Sequence, residues 1–112
     1  METTYFVQLK ANGHVALDEV KGDTLELLQN LVGGYIQDVP LPLSLRKNFR
    51  PNHEIALWVD EEGLLKGNSK NKFINKYVGD LVLSLINEEG ESVGFTKDEI
   101  YALPQEYRMN RQ

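Results

Sequence analysis

Residues 31–40 read "LVGGYIQDVP". A leucine-rich run ends in two glycines, turns at once into alternating residues and is closed by proline. Gly33 supplies the left-handed backbone that stops a helix, and Gly34 lets the chain leave at a sharp angle. Glycines that cradle phosphate precede a helix, where free N–H groups face the ligand. These follow one, where the free groups are carbonyls. The stretch is therefore a joint between a helix and a strand, and the fold can be read outward from it.

Upstream, "DTLELLQNLV" has the spacing of an amphipathic helix. Asp23 is its N-cap, with Glu26 three residues on as in a capping box, and Leu25, Leu28 and Val32 share a face beside Leu31. Before it, "YFVQL" puts Tyr5, Val7 and Leu9 on one side of a strand, and "HVAL" returns with Val15 and Leu17 inward. Asn12-Gly13 between them signals a two-residue hairpin turn, whose central positions both need positive φ. Downstream of the joint, "YIQDV" is a strand stopped by "PLP". Residues 40–53 lose all periodicity and form a long loop.

"EIALWVD" is a strand with Ile55, Leu57 and Val59 on one side and Ala56 and Trp58 on the other. "DEEG" and "NEEG" are turns in which Gly63 and Gly90 take the positive-φ position. They lack the alternating oxygen ligands of a calcium loop. "LLKG" suggests a short strand. "NSKNKFINKYV" has Phe73, Ile74, Tyr77 and Val78 at helical spacing, with Gly79 as its stop. "DLVLSLI" is apolar on both faces, as a central strand is, and "ESVGF" is its partner. Thr96 and Glu99 form a second capping box before the short helix "DEIYAL". Residues 104–112 are polar and expected to fray. The order is β-β-α-β, long loop, β-α-β-β-α. This is an α+β fold: a mixed, mostly antiparallel sheet with two or three helices on it, β-grasp-like in its N-terminal half, in one domain spanning 1–112.

Composition narrows the chemistry. With no cysteine among 112 residues, disulfides and thiolate sites are excluded. The start lacks a basic and apolar leader and no apolar run could cross a bilayer, so a cytoplasmic protein is expected. Only His14 and His53 offer imidazole, and they are far apart in sequence. No nucleophile elbow or zinc spacing occurs, so neither enzyme activity nor a metal or cofactor is expected. The net charge of −5 argues against general nucleic-acid binding. Seven of the twelve basic residues nevertheless lie within Arg46–Lys76, against four of the seventeen acids. An anionic, nucleotide-like ligand is expected there, held by Arg46, Lys47 and Arg50 of the loop and by Lys66, Asn68, Ser69, Lys70 and Lys72 at the start of the second helix.

"TLELLQNLVGGYIQDVPL", "ALWVDEEGLLKGNSKNKFI", "VGDLVLSL" and "SVGFTKDEI" together resemble the domain of unknown function 3846 family over about residues 17–100. The basic loop 40–53 and the polar tail depart from the pattern, and the family tends to a shorter polar segment at "GNSKNK". The resemblance implies a small phage, plasmid or bacterial protein with no established activity. Its expected role is that of an accessory protein that binds a small anion or a host protein and counteracts host defence. The alternative is an acidic interaction module without a small-molecule ligand, dimeric through an exposed "ESVGF" edge.

Overall fold

A computed structural model describes residues 2–111. Its strands are β1 (Tyr5–Leu9), β2 (Val15–Glu19), β3 (Ile36–Val39), β4 (Glu54–Asp60), β5 (Leu81–Ile86) and β6 (Ser92–Val93). Two α-helices, α1 (Thr24–Val32) and α2 (Lys97–Tyr101), and two 3-10 turns, Leu43–Leu45 and Gln105–Tyr107, complete it. The sheet order is β2-β1-β5-β4-β3, with β6 also paired to β5. Every ladder is antiparallel. The fold is thus α+β and mostly sheet. It lacks the parallel pair that a mixed or β-grasp-like sheet would carry.

Alternation divides the core into two layers. Leu81, Leu83 and Leu85 of β5 pack with Val7, Leu9, Ile55, Leu57 and Val59 on one face. Phe6 and Val82 face α1 on the other, against Leu28 and Val32. β5 is therefore covered on both sides, as its sequence predicts. Burying Leu28 and Val32 contributes about 1.5–3 kcal/mol each. Leu25, expected on that face, lies outward, and Leu27 and Leu31 flank the seam instead. Asp23 caps α1 by accepting from the Leu25 and Glu26 N–H groups.

Four local expectations are corrected. The β1–β2 connection is a three-residue loop, Ala11 to Gly13, closed by Lys10 N–H to His14 O and Gly13 N–H to Lys10 O. Asn12 avoids positive φ because its Oδ1 accepts from His14 N–H, and Gly13 alone goes left-handed. Gly63 does not have positive φ either. It is a close-approach position, because a Cβ there would lie 3.1 Å from the Val78 side chain. Leu17 is exposed, since the tail meets the outer edge of β2 at Val15, where Asn110 Oδ1 accepts from its N–H. The tail is docked where fraying was expected: Leu103 and Tyr107 are buried in the larger core layer, and Arg111 N–H donates to Gly13 O.

The largest departure is residues 64–79, which form neither the expected strand nor the expected helix. The segment is a loop closed on itself by Asn71 N–H to Tyr77 O, Gly79 N–H to Ser69 O and a bridge between Lys70 and Val78. Its clasp is the fully buried Asn71 side chain. Nδ2 donates to Leu9 O (2.8 Å) and Gly79 O (2.9 Å), while Oδ1 accepts from the N–H groups of Phe73 (2.8 Å) and Ile74 (3.2 Å). Phe73, Ile74 and Tyr77 still reach the core. Helical spacing identified which residues are buried, but a short polar side chain took the backbone bonds that a helix needs. The expected order β-β-α-β, long loop, β-α-β-β-α therefore loses its second helix.

The 40–53 loop is pinned down as well. Leu41, Leu45 and Phe49 enter the same core layer, and the Tyr77 hydroxyl donates to Pro40 O at 2.9 Å.

Candidate functional site

Gly33 and Gly34 do form the joint read from the sequence. Gly33 has φ 87°, and the N–H groups of both glycines meet Gln29 O at the end of α1. Gly34 has a further role. The Asp60 carboxylate and the Lys66 ammonium are 2.7 Å apart directly against it. Lys66 also donates to Gly33 O at 3.0 Å. Lys66 thus satisfies a carbonyl at the negative end of α1 and a carboxylate whose side chain is 2% exposed. Burial alone would raise the Asp60 pKa. The Lys66 hydrogen bond, the Glu62 N–H and the Lys66 charge outweigh it and hold the carboxyl below its ordinary range.

A Cβ at Gly34 would sit 2.7 Å from Asp60 Oδ1 and from Lys66 Nζ, whereas one at Gly33 would meet only its own strained φ. Gly34→Ala is therefore expected to cost about 2–3 kcal/mol and Gly33→Ala about 1 kcal/mol. Urea midpoints of the two variants check this. Equal losses would mean that the ion pair moves aside freely.

The eight residues expected to hold an anion do not converge. Arg46 and Lys47, both exposed, line a groove with Asp38 and Glu54, near the first residue of β4. Lys66, Asn68 and Ser69 line a shallow depression with Asp60 and Asp80, beyond its last residue. Seven strand residues separate these ends by roughly 20 Å. Lys70 and Lys72 are exposed, with Lys70 opposite Val78 and Lys72 N–H on Ala11 O. Arg50 is engaged elsewhere. Its Nε and Nη2 fork onto Glu99 at 2.6 and 2.7 Å, and Nη2 also donates to Gly94 O. The expected helix N-terminus is absent, so its share of positive potential is absent too. Two further depressions also hold carboxylates: Glu54 and Glu88 beside His53 in one, Asp60 and Glu61 beside Lys76 in the other.

The fifth depression differs. It is a groove of about 380 Å³ between β2 on one side and α2 with the Gln105–Tyr107 turn on the other. Val15, Leu17, Ile100, Tyr101 and Tyr107 make it apolar, and Lys97, Arg108 and Asn110 are its polar lining. It alone among these five has no carboxylate, in a chain of net charge −5. Leu17 is 47% exposed and Tyr101 71%. The Arg108 guanidinium lies 5.9 Å from the Tyr101 ring centroid, and its Nε donates to Leu103 O. Neither Lys97 nor Arg108 has a carboxylate within 4.0 Å among the described residues.

Sequence reasoning passed over this groove for two reasons. Leu17 has the alternation of a core residue, and the tail has the polarity of solvated chain. The available signal was "IYALPQEYR", where Ile100, Leu103 and Tyr107 continue an apolar stripe past Pro104.

Among the described residues no three His, Asp or Glu side chains gather as metal ligands would, and no helix is long and apolar enough to cross a membrane. Neither a curated protein nor a solved structure matches the chain. One family does: that described as Domain of unknown function (DUF3846) matches residues 5–108, which takes in the strands, both helices and the wall of the groove up to Arg108. By that match over nearly its whole length, the chain belongs to the DUF3846 family.

Proposed function

We propose that the protein is a non-catalytic binding module that takes a carboxylate-bearing segment of a partner protein in the groove between β2 and α2. The acid-free lining of that groove supports this reading: two cations without carboxylate partners among the described residues flank exposed aliphatic and aromatic side chains. Apolar area supplies the affinity, and the cations reject basic or neutral sequences. The groove runs between a strand and a helix and carries exposed Leu17 and Tyr101, which suits a side of polypeptide better than an enclosed nucleotide. In the phage or mobile-element setting implied by the resemblance, the partner is a host protein met in the cytoplasm, and interference with host defence is a role such a module can serve.

The test uses a labelled acidic peptide, acetyl-TETVTET-amide, and fluorescence anisotropy. Lys97→Glu/Arg108→Glu is expected to weaken its binding at least tenfold, and added salt to weaken it in the wild type. Arg46→Glu/Lys47→Glu, at the other groove, is expected to change it less than twofold. The reverse pattern would move the site to the basic loop singled out in the sequence. Binding indifferent to both pairs would overturn the proposal.

A further inference from the structure

The groove runs beside an open strand edge, and the register of β2 shows what that edge offers. Lys10 N–H to His14 O and Val20 N–H to Thr4 O are hydrogen bonds of the β1–β2 ladder. Antiparallel alternation between them directs the backbone groups of residues 16 and 18 toward β1. Those of Val15, Leu17 and Glu19 point outward. The Val15 N–H is already taken by Asn110 Oδ1 at 2.9 Å, which occupies the place of a neighbouring strand's carbonyl. The tail therefore starts a pairing that it does not continue, and Leu17 and Glu19 offer the next N–H and C=O groups.

Resting on the binding reading above, we infer that the partner segment adds to β2 as a further strand. Strand addition takes its hydrogen bonds from the edge and its selectivity from alternate side chains. The two ends of the groove fix what those side chains are. Asn110 marks the Val15 end, and Arg108 lies two residues before it. Lys97 marks the other, because Phe95, two residues before it, bridges to Tyr5, which pairs with Glu19. Val15 and Glu19 are four residues apart, about 13 Å along a strand. A matching segment presents carboxylate, apolar residue and carboxylate at alternate positions, i, i+2 and i+4. The apolar residue rests on Leu17 and Tyr101, and the carboxylates reach Arg108 and Lys97. Of the two acids on β2, Asp18 shares the opposite face of the sheet with Phe6, and Glu19 is paired with Lys21 at 3.3 Å.

Amide hydrogen exchange by NMR, with and without acetyl-TETVTET-amide, tests the mode. Exchange at Leu17 and Glu19 is expected to slow at least tenfold, and at Ala16 and Asp18 to change little. Two versions of the peptide, N-methylated on alternate amides, should differ at least tenfold in affinity, because one set of amides faces β2 and the other faces solvent. Suppose the peptide binds and responds to Lys97→Glu/Arg108→Glu, yet both methylated versions bind alike and Leu17 and Glu19 exchange as before. Strand addition is then wrong while the groove stands. No binding at all removes the groove reading itself. If sedimentation shows a dimer that Leu17→Asp converts to monomer, a second copy covers this edge and the inference falls.

Discussion

Asn71→Ala is expected to destabilise the protein by about 3–5 kcal/mol, a large part of the total stability of a domain of this size. The side chain is fully buried and uses all four of its hydrogen-bonding positions, two donors on Leu9 O and Gly79 O and one acceptor shared by Phe73 and Ile74. Alanine leaves four backbone groups in the interior without these partners. Three of these bonds are buried and that of the Phe73 N–H is partly so, and the groups cut off from water retain much of their desolvation cost. The contacts also join distant parts of the chain. Leu9 ends β1, and Gly79 precedes β5, the strand at the centre of the sheet. Losing the clasp frees residues 64–79, which carry Phe73, Ile74 and Tyr77 into the core.

Asn71→Asp separates geometry from charge. The carboxylate has the same shape but cannot donate to the two carbonyls that Nδ2 now serves. Burial and those carbonyl oxygens favour its protonated form, so its pKa in the folded state lies above the unfolded value. The folded protein then gains stability below the unfolded pKa and loses it as pH rises through the folded one. Asn71→Asp should therefore be closest to the wild type in mild acid and weakest at neutral pH. Urea unfolding at both pH values measures this. An Asn71→Ala variant within 1 kcal/mol of the wild type would show that the loop is held by its apolar residues alone.

Asn71 also shows where the sequence can be read and where it cannot. The strands, the α1 cap, the Gly33 stop and the two-faced β5 were legible because each is set by local period or by a residue with one backbone role. At residues 68–78 the apolar spacing was equally clear and equally correct about burial. It failed on conformation because Asn71 bonds to Leu9, 62 residues away in sequence. No local rule gives that partner. The scatter of the residues expected to hold an anion has a related cause. Arg50 and Lys66 looked like free cations because their counter-charges, Glu99 and Asp60, are assigned to them only by the fold. The seven basic residues of that region are two in balanced pairs, Arg50 and Lys66, and five exposed cations. The groove at β2 was hidden by the opposite error, since Leu17 fits the alternation of a core residue but is exposed on the edge strand β2.

The Arg50–Glu99 pair carries the second large expected effect. Glu99 Oε1 accepts from Arg50 Nη2 and from Thr96 N–H, closing the capping box of α2, while Oε2 accepts from Arg50 Nε. The Arg50 bond, above all, holds the Glu99 carboxyl below its ordinary range against the effect of burial, with Thr96 assisting. Glu99→Ala removes the fork and the carboxylate half of the capping box together, keeps only the Thr96 Oγ bond to the backbone N–H of residue 99, and leaves a partly buried guanidinium on Gly94 O alone. A buried pair broken in this way costs about 3–5 kcal/mol, and Arg50 is 32% exposed, so a loss of roughly 2–4 kcal/mol is expected. Because the folded-state pKa of Glu99 is lowered, its contribution is complete above the unfolded pKa and disappears as pH falls through the folded one. The stability gap between wild type and Glu99→Ala should thus be widest at neutral pH and close in acid. α2 has only five residues, too few to persist without its cap and its packing. It also carries Lys97, Ile100 and Tyr101 into the groove. Glu99→Ala should therefore weaken acetyl-TETVTET-amide binding even where the protein remains folded, whereas Gly33→Ala, with a milder loss of stability, should not. Equal binding by Glu99→Ala and the wild type would show that the groove does not depend on α2 being held in place.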